Sequence, residues 1–140
     1  MFSKHTLRAA TDSLVFSLSG RTHWQFQVNP SLGSATDVQF GFDVSMDGGS
    51  TWTSLTEALS DTMLGSESIT ETVTLSADGV ESYSFVRPGL FGTVGSDFAE
   101  ALELMFATHV RMLMSAITDD DDVTVVEVKF LAFSNTMNWR

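Results

Sequence analysis

Ser45-Met46-Asp47-Gly48-Gly49-Ser50-Thr51-Trp52 sets a glycine-bearing turn between two runs in which apolar and polar residues alternate. Before it, Val38, Phe40, Phe42 and Val44 recur at every second position of residues 38–44. That is the period of a strand with one face in a core. Beyond the turn, Trp52 resumes the strand. Asp47-Gly48 and Gly48-Gly49 provide the positive φ angles that short hairpins require, and an aspartate there can accept hydrogen bonds from neighbouring amides. The stretch therefore predicts a β-hairpin.

Working outward, residues 14–18 read as a strand closed by a Ser19-Gly20 turn, and residues 23–28 as another with Trp24, Phe26 and Val28 on one face. Residues 29–34, Asn-Pro-Ser-Leu-Gly-Ser, read as a loop. Residues 57–68 read as a long exposed loop, with a short helix over 55–64 as the alternative. Ile69, Glu71, Val73 and Leu75 alternate along 69–75, and the odd Glu71 implies a sheet edge. Ser76-Ala77-Asp78-Gly79 then turns the chain into 81–86, predicting a second hairpin, and Arg87-Pro88-Gly89 stops it.

Phe98, Ala101, Leu102, Met105 and Phe106 fit a helical stripe over 97–106, with Glu100 and Glu103 on the wet side. Val110, Met112 and Met114 alternate against Arg111, Leu113 and Ser115 in a strand over 108–117. Thr118 and four aspartates separate it from the longest strand, 123–133, and the two are expected to pair as a hairpin. About eight strands with at most one or two short helices predict an all-β fold, a two-sheet antiparallel sandwich of jelly-roll or immunoglobulin-like topology. A propeller is excluded by the absence of a repeated blade. The expected organisation is an N-terminal arm at 1–10, the sandwich at 11–134 and a tail at 135–140.

At 140 residues the chain is one domain, long enough to bury a core. It holds no Cys, so no disulfide framework or thiolate metal site is available. Eleven Phe against one Tyr imply an aromatic core. The net charge of −11 argues against nucleic acid as a partner, since phosphate-tracking surfaces are basic. No apolar run reaches membrane-spanning length, and the polar start 1–8 is unlike a signal peptide, so synthesis in the cytoplasm is expected. Lys4, Arg8 and Arg21, with His5 and His23, gather near the start, while acids dominate after Asp37. The opening segment is thus either a solubilising terminus or an arm for an acidic partner or neighbouring subunit.

Asp119, Asp120, Asp121 and Asp122 are the weak metal candidates, because hard oxygen ligands suit calcium. Adjacent side chains diverge, however, and a solvated hairpin tip is the expected reading; no metal or cofactor is predicted. His5, His23 and His109 share no ligand spacing, and no Gly-x-Ser-x-Gly elbow marks a nucleophile. Carboxylate pairs such as Glu100 with Glu103, or Glu67 with Glu71, lack any fixed separation across a sugar. No catalytic residue is predicted, and the chain is read as a non-enzyme. Met105, Phe106, Met112, Leu113 and Met114 read as core filling before partner surface. Trp139 lies past the last strand, where packing between subunits would cover it.

Ser45, Asp47, Gly49, Thr51 and Trp52 match the Asp-box pattern Ser/Thr-x-Asp-x-Gly-x-Thr-Trp. The motif resembles the turns of sialidase-like propellers and of unrelated β proteins, where it is a folding device away from the chemistry. An acidic, cysteine-free sandwich with this hairpin, the strand Val110-Arg111-Met112-Leu113-Met114 and a long final strand resembles the small virion proteins of tailed bacteriophages, over most of the chain. The resemblance implies a capsid decoration or cement protein on the capsid exterior. It would be a homo-oligomer, a trimer first, bound to the major capsid protein or another virion protein. Phe2, Lys4, His5 and Arg8 with Trp139 and Arg140 would be its docking residues. The rivals are a carbohydrate-binding or host-recognition module of a tail or fibre, with Trp24, Trp52 and Tyr83 available for stacking, and a head-completion or tail-tube protein.

Overall fold

The computed structural model describes residues 2–55, 57–59, 66–68, 72–87 and 105–134. Its strands are β1 (Phe2–Leu7), β2 (Ser13–Ser17), β3 (His23–Ser31), β4 (Asp37–Ser45), β5 (Thr53–Ser54), β6 (Glu57–Leu59), β7 (Ser66–Ser68), β8 (Val73–Leu75), β9 (Glu81–Val86), β10 (His109–Thr118) and β11 (Val125–Phe133). One sheet has the order β1-β11-β3-β9. The other has the order β2-β10-β4-β5, with β8 also on β4, and β6 pairs with β7 apart from both. Every pairing is antiparallel.

The pairings nest. β1 lies on β11, β2 on β10, β3 on β9 and β4 on β8, so the chain is one long hairpin rolled until successive strands fall into opposite sheets. That is a jelly roll rather than an immunoglobulin-like sandwich. The all-β sandwich expected from the alternating runs is therefore the observed fold.

The alternation places the core. Trp24, Phe26 and Val28 of β3 and Val126, Val128, Phe130 and Ala132 of β11 are buried, facing Val38, Phe40, Phe42 and Val44 of β4 and Val110, Met112 and Met114 of β10. Phe26 meets Phe42 across the layers at 4.8 Å between centroids, and Phe16 stacks on Phe130 at 4.0 Å. Aromatic pairs at such separations add to the area they bury. The alternation slips once, at a β-bulge between Met114 and Ala116, where Ser115 falls out of the ladder register with β4 and its hydroxyl donates to the Gln39 carbonyl at 3.2 Å. Past it Ile117 stands opposite Val38 and packs on the core. One inserted residue re-phases every later side chain.

Several expectations are corrected. β10 and β11 do not form a hairpin: each is a central strand, in opposite sheets, and the aspartate turn carries the chain from one layer to the other. β8 and β9 are likewise divided between sheets instead of pairing across Asp78-Gly79. The loop expected at 29–34 begins later, because β3 runs through Pro30 to Ser31. Pro30 stands beyond the last residue of β3 that pairs with β9, so β3 is locally an edge there, where proline is tolerated. At 57–59 and 66–68 the ladder of β6 and β7 stands where the sequence predicts a loop, or a helix over 55–64, and residues 60–65 lie outside the described ones. The segment read as an N-terminal arm is a strand, β1, paired with β11 through all six of its residues. The helix expected over 97–106 falls mostly outside the described residues, as do Glu71, Glu100, Glu103 and the tail bearing Trp139 and Arg140.

Candidate functional site

The Asp-box residues converge on one turn. The Ser45 hydroxyl donates to Asp47 Oδ1 at 2.7 Å and accepts from the Gly49 amide at 2.8 Å. Asp47 Oδ1 also takes the Ser50 and Thr51 amides, at 3.0 and 2.9 Å, and Oδ2 takes the Thr51 hydroxyl at 2.6 Å. These bonds, the Thr51 hydroxyl foremost, hold the Asp47 carboxyl well below the usual carboxylate range. Gly48 and Gly49 have φ of 76° and 99°, as the turn chemistry requires. Thr108 then fastens the turn to β10, accepting from the Gly48 amide while its own amide donates to the Ser45 carbonyl. The cluster is a buttress: its polar atoms are spent on its own backbone.

Three of the four aspartate side chains are also spent on structure. Asp121 Oδ2 accepts from the Ser34 amide at 2.6 Å, and Oδ1 accepts from the Val123 and Thr124 amides at 3.1 Å each. These bonds, the one from Ser34 foremost, lower its pKa. Asp119 takes the Thr36 hydroxyl, Asp120 takes the Asp122 amide, and Asp78 takes the Leu32 amide at 2.9 Å. Asp119, Asp121 and Asp78 therefore cap the neighbouring crossover at 32–36. Among the described residues no group of three or more His, Cys, Asp or Glu could hold a metal ion. No helix among them is long and apolar enough to cross a membrane.

The docking residues expected in the N-terminal segment are not brought together. Lys4 projects from the outer surface to Glu127 at 3.4 Å, an exposed pair of small energetic weight. His5 turns the other way and packs edge-on against Phe16, 5.1 Å between centroids. Phe2 starts β1 opposite Leu131, near the pole of the Asp-box turn, whereas Arg8 follows Leu7 at the opposite pole. Trp24 and Tyr83 are buried in the core and unavailable for stacking, and Trp52 is half-buried.

Trp52 leads to an arrangement that spacing did not reveal. On the outer face of the second sheet, Arg111 of β10 donates from Nε and Nη2 to Asp43 Oδ2 of β4, at 2.9 and 2.7 Å. The Ser54 hydroxyl of β5 donates to Asp43 Oδ1 at 3.2 Å. The Trp52 ring lies against the guanidinium, 4.4 Å from centroid to Cζ, a cation–π distance. Beside this pair is a depression of about 260 Å³ lined by Gly41, Asp43, Ser54, Thr72, Arg111, Leu113 and Ser115. Gly41, between outward-facing Gln39 and Asp43, leaves its floor bare, and the bulge residue Ser115 shapes its rim. Sequence offered one signal: charged residues at mid-strand outward positions of two long strands.

At the Asp-box pole a second residue was missed. Arg87 donates to the carbonyls of Arg21, Met105 at 3.1 Å and Leu18 at 3.0 Å, tying the loop after β2 to the approach to β10. Desolvation pushes its pKa down. Its guanidinium also lies 5.9 Å from the Trp24 ring centroid.

Among solved structures the chain is similar to the SPBc2 prophage-derived protein YomS, with 12% identity over 94% of this chain and 95% of that one, at a TM-score of 0.44. It is also similar to a family 11 carbohydrate-binding module from Clostridium thermocellum, solved with a β-1,3-1,4-mixed-linked tetrasaccharide. That likeness has 14% identity over 97% of this chain and 85% of that one, at a TM-score of 0.39. No family model matches the sequence, and no curated protein does. Likenesses this distant assign no role.

Proposed function

We propose that the chain is a non-catalytic structural protein of a tailed-phage virion, a capsid decoration protein seated through the pole that carries the Asp-box turn. The observation that supports this reading is that exposed apolar side chains stand at that pole. Met46, Phe106 and Phe133 are 45%, 60% and 52% exposed, and the loop between β2 and β3 joins their strands: the Thr22 amide donates to the Phe133 carbonyl and the Leu18 amide to the Thr108 carbonyl. Large apolar side chains exposed on a stiff body are the usual anchors of a protein interface. The Asp-box buttress and the Arg87 clasp hold these loops in one shape, so little ordering entropy is lost on docking. Copies arranged as a symmetric trimer would multiply weak contacts by valency.

Mass spectrometry of purified particles from the source strain, with native mass measurement of the isolated chain, tests the reading. The expected result is stoichiometric presence in particles and a trimeric mass. Phe106→Ser with Phe133→Ser should lower occupancy on particles while leaving the melting temperature within a few degrees. Absence from particles, or unchanged occupancy of the double variant, would overturn it.

A further inference from the structure

We infer that the depression on the outer face of the second sheet binds a neutral carbohydrate, holding one pyranose ring between the Ser115 bulge and the Asp43–Arg111 pair. The inference is independent of the virion reading.

Charge selects the ligand. The chain is strongly acidic, at −11, which repels anions. The Arg111 that could attract one is already neutralised by Asp43 at 2.7 Å. A cation would in turn have to displace Arg111 from the same carboxylate. An uncharged ligand avoids both costs. A sugar hydroxyl both donates and accepts, so neighbouring hydroxyls can give a proton to the carboxylate and take one from the guanidinium. Arg111 commits Nε and Nη2 to a single oxygen, and Oδ1 takes only the Ser54 hydroxyl among the hydrogen bonds described, so both groups keep capacity for a ligand.

Shape and stiffness agree. The volume of about 260 Å³ lies under the ~300–1,000 Å³ typical of drug-sized pockets, which suits a single ring of a longer chain. Leu113 offers an apolar contact for the C–H face of such a ring, and the hydroxyls of Ser54 and Ser115, which donate to Asp43 Oδ1 and to the Gln39 carbonyl, keep lone pairs to accept from it. The charged pair is held by strands β4 and β10 and braced by the Trp52 ring. Sites carried on strands need little reorganisation. β-Bulges often sit beside such sites.

The full chain, applied to an array of neutral, sialylated and sulfated glycans and then titrated calorimetrically with the strongest neutral oligosaccharide, provides the test. The expected result is retention of neutral glycans. Asp43→Asn and Arg111→Lys should each weaken binding about tenfold or more, the scale of one charge-assisted hydrogen bond. Ser115→Tyr, at a rim position exposed to solvent, should block binding while the melting temperature stays within a few degrees, since the bond it gives up, to the Gln39 carbonyl, is exposed. Retention of charged glycans alone, no retention of any neutral glycan at millimolar concentration, or full affinity in Ser115→Tyr would each overturn the inference.

Discussion

Removing Arg111 should destabilise the fold far more than removing a surface ion pair does, and should add little further cost once Asp43 has already been removed. The two side chains are 24% and 11% exposed, and both bonds from Arg111 fall on one oxygen. Arg111→Met leaves a largely buried carboxylate with the Ser54 hydroxyl, 3.2 Å away, as its remaining described partner. Breaking a fully buried pair costs about 3–5 kcal/mol, and an exposed one about 0–1 kcal/mol. The depression admits water to Asp43, so the expected cost is about 2–3 kcal/mol. Asp43→Asn keeps the shape and an acceptor, and should cost about 1–2 kcal/mol. The double variant removes the stranded charge, and should cost about 2 kcal/mol instead of the sum, a coupling of about 1–3 kcal/mol. Urea unfolding followed by tryptophan fluorescence measures all three, and in a domain of this size each kcal/mol moves the melting temperature by about 3–5 °C. Additivity within about 0.5 kcal/mol would refute the claim that the pair acts as a unit.

The remaining predictions concern the two capped turns. Gly33 has φ of 62°, and a Cβ there would sit 2.6 Å from Asp121 Oδ2, whereas Gly20, at φ 71°, has nothing within 4 Å. Gly20→Ala should cost about 1–2 kcal/mol of left-handed backbone strain. Gly33→Ala should cost measurably more in the same denaturation series, because the Asp121–Ser34 bond must give way; equal losses would contradict the close approach. Asp47 and Asp121 both have folded-state pKa values depressed below 3.8. A depressed carboxylate contributes stability that is present above its unfolded pKa and is lost as pH falls through its folded value. Stability should therefore decline below about pH 4, and Asp47→Asn with Asp121→Asn should be less stable at pH 7 yet flatter across that acid range. An unchanged acid limb would show that other groups control it.

The faces of the strands were legible because burial on one side forces a two-residue period, and no helix satisfies Trp24-x-Phe26-x-Val28 or Val38-x-Phe40-x-Phe42-x-Val44. Which strands pair was not legible. Asp78-Gly79 and the aspartate run have the chemistry of hairpin turns, yet that same chemistry serves a corner between layers, since a left-handed residue redirects the chain in either case. Asp119 and Asp122, at φ of 56° and 61°, supply such residues at the β10–β11 corner. What decides between the two outcomes is non-local: Asp121 finds its strongest partner at Ser34, 87 residues away. In a rolled hairpin each strand meets its partner from the far half of the chain, so turn residues report a change of direction and not its destination.

The same non-locality hid the charged depression while leaving the Asp-box visible. The Asp-box spends its hydrogen bonds within four residues, Ser45 to Gly49 and Asp47 to Thr51, so a short pattern captures it. Asp43 and Arg111 lie 68 residues apart and become neighbours only because β4 and β10 pair in register at those positions. Trp52 joins the local device to the distant one. Its edge packs against the glycine turn, 3.5 Å from where a Gly49 Cβ would stand, while its ring braces Arg111. A turn built to end a strand thereby fixes the position of a guanidinium on the sheet's outer face. Loosening the Asp-box should then weaken the Arg111 site before it melts the core, because the Trp52 brace rests on the turn and the buried aromatic layer does not.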